Sequence, residues 1–492
     1  MLESPRILLP IVASGISPLA IYLLRRDVNR REAASFASAV LTCLGVLWMA
    51  PEVLRGEIWT YTLFTLLPGI HVKFTADGLS LIFGFISSFL WIVATSYNIG
   101  YMRSLKEHAQ NRYYVCFAVA IFGAQGVSFS GNVFTLYLFY EIITIFTYPL
   151  VAHHQDEEGY EGGRKYLVYL MGTSKLFLLP AMILTYVLCG TLDFHVGDVM
   201  KGMFPADANP VLVTVTYVLF IAGLAKAAIM PLHNWLPSAM VAPTPVSALL
   251  HAVAVVKAGV FCISRVILSG FGLELMEKLN LGLPTAYVAA FTIVVASLIA
   301  LTKDDLKARL AYSTVSQLSY VVIGVAMLAP SAVEGGVAHI AHHAFSKITL
   351  FFAAGAIYVA SHKKKISLMS GLGRQMPWTF GAFALASLSM IGMPPVCGFV
   401  SKWYLVNGTL QAGQIVLLGA LMASTILNAA YFLPIVYKAF FEAPLPGAEH
   451  EAHGEAPMSM VVPLCLTALI SVLIGIYTKP VFTVIESFVR GF

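Results

Sequence analysis

Apolar runs of roughly twenty residues follow one another along nearly the whole chain, and that length decides the fold class. Twenty residues at about 1.5 Å each cross the ~30 Å hydrocarbon core of a bilayer as a helix. Only 11% of the 492 residues are charged and 58% are hydrophobic, where a soluble domain carries about 25% charge. The chain therefore reads as an all-α polytopic membrane protein with no room for a soluble domain. Runs counted against breaks predict about fourteen spans. They fall near 7–24, 34–51, 79–99, 113–130, 132–152, 165–190, 210–231, 246–269, 284–302, 310–329, 338–360, 377–405, 411–440 and 459–486. The first run precedes basic residues and lacks a small-residue cleavage site, so it is expected to stay as a helix. Gly56 to Asp77 alternates aromatic and polar residues and is expected to form an extended hairpin on the outer surface.

Lysine and arginine bias sets the expected orientation. The loops after spans 1, 3, 9 and 11 carry Arg25, Arg26, Arg30 and Arg31; Arg103, Lys106 and Arg112; Lys303, Lys307 and Arg309; and Lys363, Lys364, Lys365 and Arg374. The intervening loops are nearly bare, which puts odd loops in the cytoplasm and both termini outside. The loop after span 5 (HHQDEEGYEGGRK) and that after span 13 (EAPLPGAEHEAHGEAP) are acidic, and acids count little in this rule. The net charge of +5 follows from this topology. No clustered basic face suits nucleic acid. The six cysteines (Cys43, Cys116, Cys189, Cys262, Cys397, Cys465) show no CxxC pair and read as small core residues, so no metal site is expected. No glycine loop for a nucleotide and no haem-ligand pattern occurs, so no cofactor is expected and any redox chemistry belongs to partners.

Ionisable groups inside the spans are the informative exceptions. Between Ala222 and Phe261 an apolar run carries Lys226, is broken by Pro231, passes through Pro237, Pro243 and Pro245, and resumes with His251 and Lys257. A charge in hydrocarbon costs several kcal/mol, roughly 2.5 to 3.5 on insertion scales, and faces protein or water. A helix broken in mid-membrane survives only where its freed backbone groups meet protein or water. A second proline-broken helix, GMPPVCGFVSKWYLV with Pro394, Pro395 and Lys402, follows later, and paired broken helices mark transport sites. Glu141 is the clearest mid-membrane acid, set against Lys175, Lys226, Lys257, Lys347 and Lys402. If all five were cationic the interior would hold a large uncompensated charge. Burial favours the neutral amine and a nearby carboxylate the cation, so such lysines can hold and release protons in turn. His339, His343 and Lys347 are spaced i, i+4, i+8 and share one helix face, with His342 elsewhere. Histidine titrates near neutrality and suits a relay. His251 and Lys257 lie about 120° apart around a regular helix and are expected to bridge neighbouring compartments.

Each feature also has a plain structural explanation. Lys175 can snorkel or form a structural pair. The histidines can simply bond helices together. Asp77, in ADGLS, is accounted for as a helix cap. Lys363–Lys365 is accounted for as a topology anchor.

Five stretches together resemble the antiporter-like subunits of respiratory complex I and of the multi-subunit Mrp sodium/proton antiporters: LYLFYEIITIF, AKAAIMPLHNWLPSAMVAPTPVSALLHAVAVVKAG, KDDLKARLAYSTVSQLSY, HIAHHAFSKITLFF and GMPPVCGFVSK. The resemblance runs from about Asp77 to Lys402 and is nearest to the Mrp D-subunit, together with its relatives in membrane-bound hydrogenases. It implies two inverted five-helix repeats, with the seventh and twelfth helices broken. Residues 1–112 would hold helices 1–3, 113–269 the first repeat, 270–440 the second, and 441–492 an acidic loop and the last helix. It also implies that Glu141 pairs with Lys226, that Lys257 with His251 is the central link, that His339, His343 and Lys347 are a middle relay, and that Lys402 is terminal.

The expected function is proton translocation as an antiporter-like subunit of a Mrp-type cation/proton antiporter or related ion-pumping complex. The expected partners are other membrane subunits, the lipid bilayer of a bacterial or archaeal inner membrane, and protons. Whether Na+ is also carried is left open, because a sodium site needs several oxygen ligands and only Glu141 and backbone carbonyls are identifiable. The alternatives are a pumping subunit of an NADH–quinone oxidoreductase or membrane-bound hydrogenase, and a non-conducting scaffold.

Overall fold

A computed structural model describes residues 2–444 and 454–489, so the centre of the predicted acidic loop lies outside the described residues. A short strand β1 (Leu2–Glu3) leads into α1 (Leu8–Leu23) and α2 (Val28–Leu54). The hairpin expected between Gly56 and Asp77 is present as β2 (Trp59–Leu67) and β3 (Ile70–Ala76), paired antiparallel with β1 parallel on the β2 edge. Its two-residue turn is Pro68-Gly69, and Gly69 has φ +75°, a value a side chain would oppose.

The chain continues through α3 (Gly78–Ser104), α4 (Gln110–Ser128), α5 (Val133–Val151) and α6 (Glu157–Thr173). A π turn, Ser174–Leu178, joins α6 to α7 (Leu179–Cys189), so the two form one continuous rod. Then come α8 (Pro210–Gly223), the short α9 (Trp235–Ser238) and α10 (Thr244–Ala248), and α11 (Val255–Arg265), which is flanked by the π turns Leu249–Val253 and Val266–Phe271. After α12 (Leu273–Lys278) follow α13 (Gly282–Thr302), α14 (Leu306–Ala326), α15 (Pro330–Ser361), α16 (Leu372–Gln375), α17 (Pro377–Ile391), α18 (Cys397–Gln411) and α19 (Ile415–Phe441). The described chain ends with α20 (Met458–Ile476) and α21 (Lys479–Phe488).

Helix starts follow local chemistry. Asp27, Asp77, Asn132, Asp156, Asn209 and Asp305 each accept a backbone N–H of the first turn of α2, α3, α5, α6, α8 and α14. Among the described residues ten helices are long and apolar enough to cross a bilayer, fewer than the fourteen spans counted from the sequence. Two predicted spans, 377–405 and 459–486, each resolve into two helices. Gly392 at φ +92° with Pro394 and Pro395 divides the first, and Tyr477, Thr478 and Pro480 divide the second.

Burial sorts the helices into layers. The stretch Thr244–Phe271 is buried along its whole length, and most of α3 and α15 is buried beside it. The apolar outer faces of α1, α2, α7, α19 and α20 are exposed, with Leu23, Leu44, Val187, Ile426 and Ile476 all turned outward. An exposed apolar belt of that extent is what a bilayer covers.

Candidate functional site

The first break sets Lys226. Helix α8 stops at Gly223, Ala225–Ala227 makes one 3-10 turn, and Ala228 adopts φ +54° before the chain turns away. Lys226 is fully buried there. Its Nζ donates to the Tyr140 carbonyl (2.8 Å) and to Thr144 Oγ1 (2.6 Å), both on α5. It also lies 3.1 Å from the Tyr140 ring centroid, a cation–π seat. The backbone N–H of Lys226 donates to Tyr140 Oη at 3.1 Å. Gly259 of α11 packs directly on this turn: a Cβ there would be 2.8 Å from Ala227 Cα and nearer still to the adjoining backbone atoms.

The expected Glu141–Lys226 ion pair is not formed. Glu141 Oε2 instead accepts from Lys175 Nζ at 3.0 Å, and Lys175 also donates to Tyr137 Oη at 2.6 Å. The reason is local geometry: Lys175 sits in the π turn between α6 and α7, which turns it toward α5. Its side chain is 46% exposed and that of Glu141 10%, so the pair lies at the bundle's margin. Tyr140 and Thr144, one residue before and three after Glu141, present the inward face to Lys226.

The centre of the site is made by α11 and α15. Lys257 Nζ lies 2.6 Å from His343 Nδ1. The ring of His343 is 6.0 Å from that of His339, nearly parallel to it. His339 Nδ1 is 2.8 Å from Ser401 Oγ, and its Nε2 is 3.0 Å from Gln317 Oε1. Gln317 Nε2 reaches the Met390 carbonyl at 3.5 Å, and that same carbonyl accepts from Lys402 Nζ at 2.7 Å. A series of buried polar groups thus runs from Lys257 to Lys402, by ring contact between His343 and His339 and by way of the Met390 carbonyl at its end.

Lys402 occupies the second break. Its Nζ donates to the carbonyls of Met390 and Ile391 (3.1 Å), the last two residues of α17. Those carbonyls have no partner within their own helix and carry the negative end of its dipole, so an amine is the group that suits them. Gly392 leaves space for the lysine stem: a Cβ there would be 2.7 Å from Lys402 Cδ.

Lys347 shares the face of His343 by spacing but reaches a different neighbour. Its Nζ donates to Ser313 Oγ (2.9 Å) and toward the Leu310 carbonyl (3.4 Å) on α14, and Tyr431 Oη donates to the same serine (3.1 Å). His251 lies in the π turn Leu249–Val253, so the regular 120° spacing from Lys257 does not apply. It stacks on Phe351 of α15 at 4.5 Å, and neither ring nitrogen has a hydrogen-bond partner. His342 likewise has both ring nitrogens unpartnered and lies off the Lys257–Lys402 line.

These amines share one chemical property. Among the described residues, no carboxylate forms an ion pair with Lys226, Lys257, Lys347 or Lys402. Their acceptors are carbonyls, hydroxyls and an imidazole, which accept from an ammonium or a neutral amine alike. Lys175, with its carboxylate, is the exception.

Two groups in this network escape a reading by charge alone, and a third buried group lies outside it. Gln317 stands out only as an amide within ARLAYSTVSQLSY, and Ser401 only as the neighbour of Lys402. Arg265 is a charge in an apolar run and was legible as such. It is fully buried and holds Asp77 through two bonds of 2.5 and 2.8 Å, with Ser80 Oγ at 2.9 Å. Asp77 therefore caps α3, as expected, and also anchors α3 to the end of α11.

A cavity of about 680 Å³ opens at the end of the bundle that carries the loops after α3, α5, α13 and α15. Glu107, His154, Lys307 and Lys364 line its rim, and Tyr101 and Thr244 line it deeper. Thr244 begins the buried stretch that reaches His251 seven residues later, about 10 Å along a helix.

Comparison with known proteins bears on the same region. Residues 130–428 match the family model described as NADH:quinone oxidoreductase/Mrp antiporter, TM. The chain is 32% identical to NADH-quinone oxidoreductase subunit N of Desulforudis audaxviator, over 97% of this chain and 96% of that one. It is 30% identical to a probable K(+)/H(+) antiporter subunit of Rhizobium meliloti, over 90% of this chain and 44% of the other. Among solved structures, a chain of the Mrp complex from Dietzia sp. DQ12-45-1b superposes with TM-score 0.85 at 20% identity, covering 99% of this chain and 98% of that one. A chain of the archaeal membrane-bound sulfane sulfur reductase gives 0.87 at 24% identity, covering 98% and 97%. These two likenesses concern the fold.

Proposed function

Since this chain belongs to the NADH:quinone oxidoreductase/Mrp antiporter transmembrane family, we propose that its buried lysines and histidines carry protons across the membrane within a multi-subunit complex. The chain is a multi-pass, antiporter-like membrane subunit. The observation that carries the proposal is the buried series Lys257, His343, His339, Gln317 with Ser401, and Lys402, in which the two histidines meet ring to ring and the last step passes the Met390 carbonyl, joining the centre of the bundle to the second broken helix. A proton taken up from the cytoplasmic side loads Lys226 or Lys257, passes the histidines and leaves from Lys402 to the outside. Three of the four loops around the rim cavity, those after α3, α13 and α15, are the lysine- and arginine-rich ones, and acids count little in the orientation rule, which supports that side as the cytoplasmic one. Both termini then lie outside a bacterial or archaeal inner membrane.

Glu141 acts on Lys226 by exchanging partners. Resting on Lys175, it leaves Lys226 to neutral acceptors; turned inward, it would hold Lys226 as an ammonium. In this reading residues 113–269 and 270–440 each form one half of the path, built around its own broken helix.

The assembly is of the Mrp cation/proton type or that of a redox-driven pump, and the full-length match to a subunit N keeps the second in view. Co-purifying subunits decide between them: small antiporter subunits mark the first, nickel–iron or quinone-reducing subunits the second. The functional test is proton flux by the assembled complex in proteoliposomes. Lys257→Ala and Lys402→Ala are expected to abolish flux with assembly intact. Normal flux in either variant overturns the proposal and leaves a scaffold.

A further inference from the structure

Two loops at the rim of the cavity bring metal-binding side chains together away from the lysine line. Glu107 and His108 lie between α3 and α4, and His154 follows α5. One ligand atom from each lies within 4.8 Å of the others. His154 Nδ1 is 3.8 Å from Glu107 Oε2.

A second observation points to the same spot from beneath. The His153 side chain is fully buried, with Nε2 3.7 Å from Glu107 Oε2. Neither of its ring nitrogens has a hydrogen-bond partner of normal geometry, and leaving a buried polar group so is unfavourable. Its ring packs 4.7 Å from that of His108.

We propose that Glu107, His108 and His154 bind a transition-metal ion of the Zn2+ class, with His153 donating to the Glu107 carboxylate from the buried side. Two imidazoles and one carboxylate, with a fourth position for water, form a zinc-type donor set. Ligand atoms around tetrahedral zinc lie about 3.3 Å apart, so the three atoms close in by roughly 1.5 Å. His108 and His154 are exposed and free to turn that far. His153 is the positioning residue: a ligating carboxylate is held by a further hydrogen bond, whose loss weakens a metal about 10- to 100-fold. Arg112 is directed away to the His153 carbonyl at 2.8 Å. Asp156, Glu157 and Glu158 follow in the chain and add negative charge.

The test is a Zn2+ titration of the untagged full chain, in a background where His450 and His453 are changed to Ala so that the acidic loop cannot contribute. One tight Zn2+ per chain is expected, with Co2+ giving the visible absorption of a tetrahedral site. His108→Ala and His154→Ala, both surface changes, are expected to weaken binding at least 30-fold without moving the metal-free melting temperature. His153→Phe is expected to keep the stoichiometry and weaken affinity about tenfold. Unchanged affinity in His108→Ala or His154→Ala overturns the site. Because Glu107 and His154 line the cavity rim, bound Zn2+ is also expected to slow proton flux severalfold. That consequence rests on the function proposed above; flux that ignores Zn2+ despite a normal isotherm overturns only the coupling.

Discussion

Gly259→Ala tests whether the seat of Lys226 matters apart from its charge. The added Cβ would lie 2.8 Å from Ala227 Cα and closer to the amide of Ala227 and the carbonyl carbon of Lys226. All are backbone atoms, so no side chain can swing aside and α11 or the broken turn must move. A shift of about 1 Å restores ordinary contact, at the roughly 1–3 kcal/mol typical of overpacking. The same shift stretches the 2.6 Å bond from Lys226 to Thr144 beyond hydrogen-bonding range. Misplacing a reacting group by 1 Å costs up to about a hundredfold in rate. Flux through the assembled complex in proteoliposomes is therefore expected to fall between tenfold and a hundredfold, although every titratable group remains. Gly270→Ala is the matched control: its Cβ would meet neighbours only at 3.9 Å and beyond, in the same buried stretch. Wild-type flux in Gly259→Ala, or an equal loss in Gly270→Ala, refutes the reasoning.

Gln317→Leu removes the acceptor at His339 Nε2 and is expected to cut flux at least tenfold, whereas His342→Gln, off the line, is expected to stay within twofold. Lys175→Met frees Glu141 from its present partner; flux is expected to slow with a changed pH profile, while Glu141→Gln is expected to abolish it. Arg265→Met leaves Asp77 buried and unpaired and is expected to destabilise by about 3–5 kcal/mol, with Arg265→Met/Asp77→Leu recovering much of the loss in a detergent melt. His153 titrates near 4 when folded and near 6.5 when unfolded, so the unfolded chain binds the extra proton between those values. Its contribution to stability is complete above pH 6.5 and is lost as pH falls toward 4; His153→Phe is expected to flatten the melting temperature over that window.

Ten of the fourteen predicted spans, the hairpin and both breaks could be read from the chain, because each rests on local chemistry: run length against bilayer thickness, the Pro68-Gly69 turn, and prolines inside apolar runs. The positions of the buried amines were legible for the same reason, since a charge in an apolar run is conspicuous by itself. Their partners were not. Opposite charge and the family resemblance pair Lys226 with Glu141, and a π turn, which no periodicity reveals, hands that carboxylate to Lys175. A second π turn removes the regular geometry assumed between His251 and Lys257. Gln317 and Ser401 carry no charge and are common residues, so only the packing of α14 and α18 against α15 gives them a role. Glu107, His108, His153 and His154 come from two separate loops, and ligand spacing along one segment cannot find such a set.

In the proposed path, the choice of acceptors gives a reason for an amine rather than an acid at each station. A carboxylate beside a buried lysine would fix it as a cation, and the pair would be costly to part in low dielectric. Carbonyls at a broken helix end do otherwise: they hold an ammonium through charge and dipole, yet still accept a hydrogen bond from the neutral amine. Lys402 on Met390 and Ile391 has that arrangement; Lys226 likewise has only neutral acceptors, the Tyr140 carbonyl and Thr144, though these lie within α5 and not at a helix end. The breaks thus do more than admit a polar residue to the membrane interior. At the second break they supply unpaired backbone carbonyls as ligands whose own charge never changes, so in the proposed path no ligand of Lys402 has to change charge when its proton leaves.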